Sequence, residues 1–101
     1  MDQVATSVNQ IAIRLTNERW RHIVSEHPEV EIYRVEILKT ISYPERVLDG
    51  GEGELLAQRE VETGKWLIVV YREMVDDGFI ITAFVTRRIR SLDKRTVIWS
   101  R

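Results

Sequence analysis

The hydrophobic pattern of this chain changes at Pro44, and that change constrains the fold more than any other feature. Between residues 17 and 42 the apolar residues recur at helical spacing. After Pro44 they alternate or form short runs, which are separated by the glycine-containing stretches "GGEG", "ETGK" and "VDDG". Loops this short join antiparallel neighbours, so residues 45–86 are predicted to form a four-stranded meander.

The first half of the chain predicts one strand and two helices. The alternating stretch "IAIRLT" (11–16) is typical of a short strand, and Thr16 suits the N-cap of a helix over residues 17–26. Pro28 disfavours helical geometry at His27 and therefore ends that helix. A second helix is predicted over residues 30–42, where the apolar residues form one stripe.

These elements predict the order β-α-α-β-β-β-β and an α+β fold. Two N-terminal helices would pack on one face of a small antiparallel sheet. The stretches "WLIVVYRE" and "FIITAFVT" are nearly all apolar, so they are expected at the centre of the sheet. Residues 1–101 are expected to form a single domain, with residues 1–10 flexible. The basic segment 87–101 is predicted to form a short helix or an edge strand that packs back through Val97, Ile98 and Trp99.

Composition narrows the class of protein. The chain of 101 residues has no cysteine, which excludes a disulfide framework and a thiolate metal site. No apolar run is long enough to cross a bilayer, and no signal peptide is recognisable, so a cytoplasmic location without membrane contact is expected. Residues 87–101 carry six basic residues and one acid, whereas the whole chain has a net charge of −1. This asymmetry indicates either an anionic partner or a solvated, frayed terminus.

The two histidines are the first candidates for catalysis. His22 falls on the polar face of the first helix, one turn from Glu26, and His27 falls on its apolar stripe. An exposed helical residue and a satisfied core histidine are the simpler interpretations of these two positions. Five residues apart, the two side chains lie about 140° apart around the helix, which argues against their chelating one metal ion. No metal site is predicted.

The predicted strands offer a second group of candidates. Arg59 shares a strand face with two apolar residues, which is costly unless its charge is paired or lies at a cleft. Three more polar residues, on the next two strands, could converge with it and with a histidine: Tyr71, Arg72 and Thr82. The sequence has no phosphate-binding glycine loop and no nucleophile elbow. The remaining set suits metal-independent RNA cleavage, in which a base removes the 2′-OH proton and an arginine stabilises the phosphorane, without a cofactor.

Several stretches also carry a family resemblance. These are "LTNERWRHIVSEHPEV", "ILKTISYPERVL", "GELLAQRE", "WLIVVYRE" and "GFIITAFVT". Over about residues 13 to 99 the chain resembles the phage-associated branch of the barnase–EndoU–colicin–RelE-like nucleases. The resemblance implies a RelE/barnase-like fold with helices packed against a small antiparallel sheet. It also implies metal-independent ribonuclease activity, as in the toxins of bacterial toxin–antitoxin pairs.

The resemblance and the chemistry of the residues together suggest roles for particular residues. The family pattern falls on His22, His27, Arg59 and Thr82. We expect His22 to act as general acid or base, Arg59 as phosphate binder and Thr82 as a positioning group, and His27 either to join the chemistry or to orient the helix. RNA or phosphate contacts would fall to Tyr71, Arg72, Arg87, Arg88 and Arg90. The leading hypothesis is therefore a possible endoribonuclease, the toxin of a toxin–antitoxin pair, with RNA and a cognate antitoxin as partners. The alternative is a non-catalytic protein- or RNA-binding module that keeps the nuclease-like fold.

Overall fold

The computed structural model describes residues 2–101 and contains two α-helices and seven strands. The strands are β1 (Gln3–Thr6), β2 (Ala12–Leu15), β3 (Arg46–Asp49), β4 (Leu55–Glu62), β5 (Lys65–Glu73), β6 (Asp77–Thr86) and β7 (Val97–Ser100). The helices are α1 (Asn17–Glu26) and α2 (Arg34–Ser42). Two 3-10 segments, Pro28–Tyr33 and Ile89–Leu92, complete the chain.

Helix α1 forms where the sequence predicts it. The Thr16 hydroxyl accepts a hydrogen bond from the Arg19 N–H at 3.0 Å and caps the helix. The helix ends at His27, whose N–H donates to the Ile23 carbonyl, and Pro28 follows. The predicted second helix divides in two, because a tighter 3-10 segment precedes α2.

The seven strands form one mixed sheet in the order β1-β2-β6-β5-β4-β3-β7. The α+β class is confirmed, and β5 and β6 lie at or next to the centre as predicted. The prediction of an entirely antiparallel sheet is wrong, because β2 pairs with β6 in parallel. Gly78 makes this pairing possible. A Cβ atom there would lie 2.2 Å from the Arg72 carbonyl oxygen and 2.7 Å from Ile13 Cδ1.

Both chain ends contribute strands beyond the predicted order. Residues 3–6, within the segment expected to be flexible, pair as β1 with β2 in the register Gln3↔Leu15 to Thr6↔Ala12. The C-terminal segment contains both of the alternatives that the sequence left open. Residues 89–92 form a 3-10 turn, and residues 97–100 pair with β3 as the outer strand β7.

The sheet has a helix side and a helix-free side. On the helix side, α1 and α2 cover a hydrophobic cluster to which Ile13, Leu67, Val69 and Tyr71 contribute from the strands. On the helix-free side, a smaller cluster of Leu48, Leu56 and Ile68 is contacted by Ile89 and Leu92 of the C-terminal segment. Within residues 2–101 no helix is long and apolar enough to cross a membrane.

Candidate nucleic-acid interface

His22 lies on the outer surface of α1, away from the sheet. Its side chain is about half exposed, and Nε2 lies 3.1 Å from the Glu26 carboxylate one turn later. Glu18, Arg19 and His22 together line a shallow cleft. The pairing with Glu26 agrees with the helical spacing, and the cleft places one arginine beside the histidine.

Backbone hydrogen bonds at the end of α1, rather than packing in the hydrophobic core, hold His27 in position. Its N–H is bonded within the helix, and its own carbonyl accepts a bond from Val30 N–H at 3.0 Å. Nδ1 lies 3.6 Å from the Glu29 carboxylate, and the ring centre lies 6.1 Å from that of Phe84. The side chain is 36% exposed, so His27 lies at the boundary between the helix layer and β6.

Arg59 lies on the helix side of the sheet. Its register partner on β5 is Leu67, which belongs to the large hydrophobic cluster. The guanidinium NH1 donates to the Glu36 carboxylate of α2 at 2.6 Å, and both side chains are about 30% exposed. The charge of this mid-strand arginine is therefore paired, as its position in the sequence required.

Thr82 lies on the opposite side of the sheet from Arg59. Thr82 is opposite Val70 on β5. A bulge at Ile81 comes next, so that Ile80 lies on the helix side, opposite Tyr71. The Thr82 Oγ1 atom is buried and has no hydrogen-bond partner among residues 2–101. Arg72 also lies on the helix-free side by alternation from Val70, and its NH2 group donates to the Glu52 carbonyl at 3.0 Å.

Tyr71 is enclosed in the hydrophobic cluster of the helix side. Its side chain is fully buried, and its hydroxyl has no hydrogen-bond partner among residues 2–101. Burial raises the pKa of the hydroxyl well above its ordinary value, and the nearby Glu73 carboxylate raises the pKa further. An RNA contact through Tyr71 would require the core to open, so in this fold Tyr71 acts as a packing residue.

The residues predicted to share one catalytic cleft are thus divided by the sheet. Arg59 and Tyr71 lie on the helix side, and Thr82 lies on the helix-free side. His22 is paired with Glu26 and His27 with Glu29, each close by in the sequence. Arg59 is paired with Glu36. No bond or ion pair joins a histidine to Arg59 or Thr82 among the described residues.

The predicted phosphate-binding arginines are distributed differently. Arg72 lies on the helix-free side, and Ile89 and Leu92 anchor the segment that carries Arg88 and Arg90 to the small cluster there. Arg87 precedes these residues at the end of β6, and its charge acts on Glu62 and Lys65 at the β4–β5 hairpin. The last three arginines are exposed. None of the four forms an ion pair with a carboxylate within residues 2–101, whereas Arg46 and Arg101 both do.

Aromatic side chains accompany these arginines. Trp66 and Phe84 are partly buried against the small cluster, close to the end of β6 from which Arg87 follows. Phe79, near the start of β6, is 43% exposed. It is directly opposite Arg14 on β2 and Arg72 on β5. Side chains in such cross-strand positions are immediate neighbours.

Phe79 and Arg14 are absent from the sequence-based candidates. Simple alternation along β6 would place Phe79 and Phe84, which are five residues apart, on opposite faces, and only the bulge at Ile81 brings them to the same face. Arg14 becomes a neighbour only through the parallel pairing of β2 with β6, which no local pattern indicates.

No group of three or more histidine, aspartate or glutamate side chains within residues 2–101 is arranged to hold a metal ion. Comparison with known proteins found no matching family, no matching curated protein and no matching solved structure.

Proposed function

We propose that this chain is a non-catalytic RNA-binding module that uses the helix-free side of its sheet. One observation carries the proposal: Arg72, Arg88 and Arg90 flank the small cluster with Arg87 just before them, and none of the four forms a direct ion pair among the described residues. The charges of Arg72 and Arg87 act only at longer range on the Glu54 and Glu62 carboxylates. Lysine and arginine contacts to phosphate supply most of the sequence-independent affinity for nucleic acid. The separation of Arg59 from Thr82 favours binding over cleavage, because catalysis requires these groups around one phosphate.

The aromatic residues favour single-stranded RNA over a duplex. Single strands bind to sheets through bases that stack on exposed aromatic rings, with arginines along the backbone. Phe79 offers such a ring between Arg14 and Arg72, and Phe84 and Trp66 lie farther along the same face. Asp77, two residues before Phe79, is exposed and limits the positive charge at that end. The proposal therefore assigns base stacking to Phe79 and most phosphate contacts to residues 87–90.

The electrostatic part is tested by fluorescence anisotropy with labelled single-stranded RNA of mixed sequence, in EDTA, over a range of salt concentrations. The combined change of Arg87, Arg88 and Arg90 to alanine should reduce the magnitude of the slope of log K against log salt by about 2, since each phosphate contact contributes about 0.7. Arg21→Ala on α1 is the control, because Arg21 is exposed and forms no ion pair among the described residues. An unchanged slope in the triple variant would exclude the basic segment from the interface.

The stacking part is tested separately with Phe79→Ala. Loss of one stacked base should weaken binding by about 1 kcal/mol or more without changing the salt slope. Ile32→Ala is the control, because Ile32 is an exposed apolar residue in the helix layer, 78% exposed. Equal effects of the two substitutions would remove Phe79 from the proposed interface.

A second candidate function is the metal-independent ribonuclease of a toxin–antitoxin pair, with the RelE/barnase-like arrangement and a cytoplasmic location. The pairing of His22 with Glu26 beside Arg19 supports it, because a carboxylate-oriented imidazole next to an arginine can act on a phosphodiester. In this version the chemistry lies on α1, and the basic segment contacts RNA or an acidic antitoxin.

Incubation of the purified protein with RNA in EDTA separates the two candidates. Cleavage by the wild type that is lost in His22→Ala or His27→Ala would establish the ribonuclease and identify its histidine. Arg59→Ala tests the phosphate-binding role assigned to Arg59, and cleavage retained in a folded variant would remove that role. RNA that is bound but left intact supports the binding module. Induced expression then tests for toxicity, and for its relief by an adjacent reading frame.

A further inference from the structure

Strand β7 leaves one edge of the sheet without a strand partner. It is the last strand of the order and pairs only with β3, through Arg46↔Ser100, Val47↔Trp99 and Leu48↔Val97. The outward backbone N–H and C=O groups of residues 97–100 therefore have no strand to pair with among the described residues. Such an edge accepts an extended segment as an additional strand.

The side chains along this edge are apolar and accessible. Val97 is 48% exposed and Ile98 is 50% exposed. A bulge in the β3–β7 pairing lies at Ile98. An added strand would cover both side chains while its backbone pairs with β7, and apolar residues at alternate positions would serve that purpose.

The two residues that lead toward the edge strand, Lys94 and Arg95, are basic. Arg95 NH1 donates to the carbonyl oxygens of Asp49 and Gly50, at 3.3 and 2.9 Å, which holds its charge beside the strand. Lys94 is exposed and forms no ion pair within residues 2–101. Of the nearby acids, Asp93 is 2.6 Å from Arg46 and Glu45 is 3.8 Å from Arg101. Asp49 and Glu54 accept backbone N–H bonds from Gly51 and Glu52.

This charge pattern decides between two occupants. In an antiparallel pairing of β7 with β7 of a second copy, Lys94 and Arg95 would lie beside the second copy's Arg101. Glu45 offsets one positive charge there, an excess of positive charge remains, and like charges across strands are destabilising. An acidic strand would meet the same residues with favourable charge and gain specificity from them.

We propose that β7 binds an extended acidic segment of a partner protein, in which apolar and acidic residues alternate, as an eighth strand of the sheet. This inference rests on β7 and its flanking charges, and it is independent of RNA binding at Phe79 and residues 87–90.

The probe is a short capped peptide of alternating glutamate and valine, and the matched control peptide has lysine in place of glutamate. NMR-detected amide exchange of the full-length protein should show protection of residues 97–100 with the glutamate peptide and none with the lysine peptide. A glutamate peptide with N-methyl groups on alternate residues lacks the backbone donors for pairing, and it should fail to protect the strand.

Two substitutions test the charge requirement. Lys94→Glu should weaken binding of the glutamate peptide by about five-fold, the size expected of one exposed charge pair or somewhat more. Arg21→Glu on α1 should leave the affinity unchanged. Equal binding of the two peptides, protection outside β7, or no protection at all would overturn the proposal. Concentration-dependent dimerisation in sedimentation velocity that is lost in Ile98→Asp would assign the edge to a second copy, and would also overturn it.

Discussion

The Thr82 hydroxyl is buried without a hydrogen-bond partner among the described residues, so its replacement tests whether Thr82 serves stability or activity. A buried polar group that makes no hydrogen bond costs stability, and its replacement by an apolar group of similar shape removes that cost. We expect Thr82→Val to leave the free energy of unfolding unchanged or to raise it by about 1 kcal/mol, measured by urea denaturation. If Thr82 positions RNA for cleavage, the same variant loses that activity.

Thr40 provides the matched control. Thr40 is fully buried, and its hydroxyl donates to the Glu36 carbonyl at 2.7 Å. Thr40→Val should therefore lower the free energy of unfolding by about 1 kcal/mol. The account of Thr82 fails if the two substitutions destabilise the protein equally.

Glu62 is the residue from which a pH dependence is expected. The Tyr33 hydroxyl donates to its carboxylate, and this bond, followed by the charge of Lys65, holds the pKa of Glu62 below the ordinary 4.5. A carboxyl group whose pKa is lower in the folded state than in the unfolded state stabilises the fold at pH values above its unfolded-state pKa. This stabilisation is lost as the pH falls through the folded-state pKa. In Tyr33→Phe the pKa of Glu62 should return toward 4.5.

An NMR titration of the Glu62 carboxyl carbon measures this change in pKa. The difference in stability between wild type and Tyr33→Phe should be present at neutral pH and should shrink as the pH falls below 4.5 and through the folded-state pKa of Glu62. Glu62→Gln with Tyr33→Phe completes a double-mutant cycle. A pKa of Glu62 that does not change in Tyr33→Phe would contradict the assigned cause.

At the scale of elements, Gly78 controls the pairing of three strands. It is opposite Glu73 on β5 and Ile13 on β2, and a side chain there would collide with backbone as well as with Ile13. We expect Gly78→Ala to cost about 2 kcal/mol or more, because a rigid carbonyl cannot move aside cheaply. Gly64→Ala should cost only about 1 kcal/mol, because its positive φ of 73° is strained but no atom lies closer than 4.0 Å. Equilibrium urea unfolding compares the two, and a smaller loss in Gly78→Ala would be contrary to expectation.

Elements defined by local signals could be predicted, and those defined by distant pairing could not. The bounds of α1 follow from Thr16 and Pro28, and the central position of β5 follows from its apolar run. Strand β1 has only four residues, "QVAT", and exists because β2 lies beside it. The parallel pairing of β2 with β6 joins residues about 65 positions apart, as in Ile13↔Gly78, so no short window contains it.

The candidate site shows the same division between local and distant information. The pairing of His22 with Glu26 follows from helical spacing, and the need of Arg59 for a partner follows from its strand face. Alternation alone also assigns Tyr71 and Arg72 to opposite faces. Whether Arg59 and Thr82 share a face depends on the register of β4 with β5 and of β5 with β6, and these registers are properties of the assembled sheet.

The whole molecule has two clusters of unequal protection, one on each side of the sheet. The larger is covered by the two helices, whereas the smaller is covered by one short segment that is anchored by Ile89 and Leu92 and by the Asp93–Arg46 ion pair. A region with few buried apolar contacts and with solvent-exposed backbone hydrogen bonds opens locally at low free-energy cost. The C-terminal segment should therefore open in events that leave the helix layer intact.

Leu92→Ala tests this expectation. Loss of the anchor should cost about 1 kcal/mol and should speed amide exchange first in residues 89–95, with little change in the exchange of α1. Leu38→Ala is the control, because Leu38 packs partly buried against the larger cluster. A uniform rise in exchange across the chain in Leu92→Ala would show that the two sides open together.

The three tryptophans are divided between the two sides of the sheet, so tryptophan fluorescence can report on each side separately. Trp20 and Trp99 pack against the larger cluster, whereas Trp66 packs against the smaller one. Replacing Trp20 and Trp99 by phenylalanine leaves a single emitter beside the small cluster. The complementary Trp66→Phe leaves fluorescence that arises only beside the larger cluster. Quenching and spectral shifts in the two variants would then report separately on ligand arrival at the helix-free face and on loosening of the helix layer.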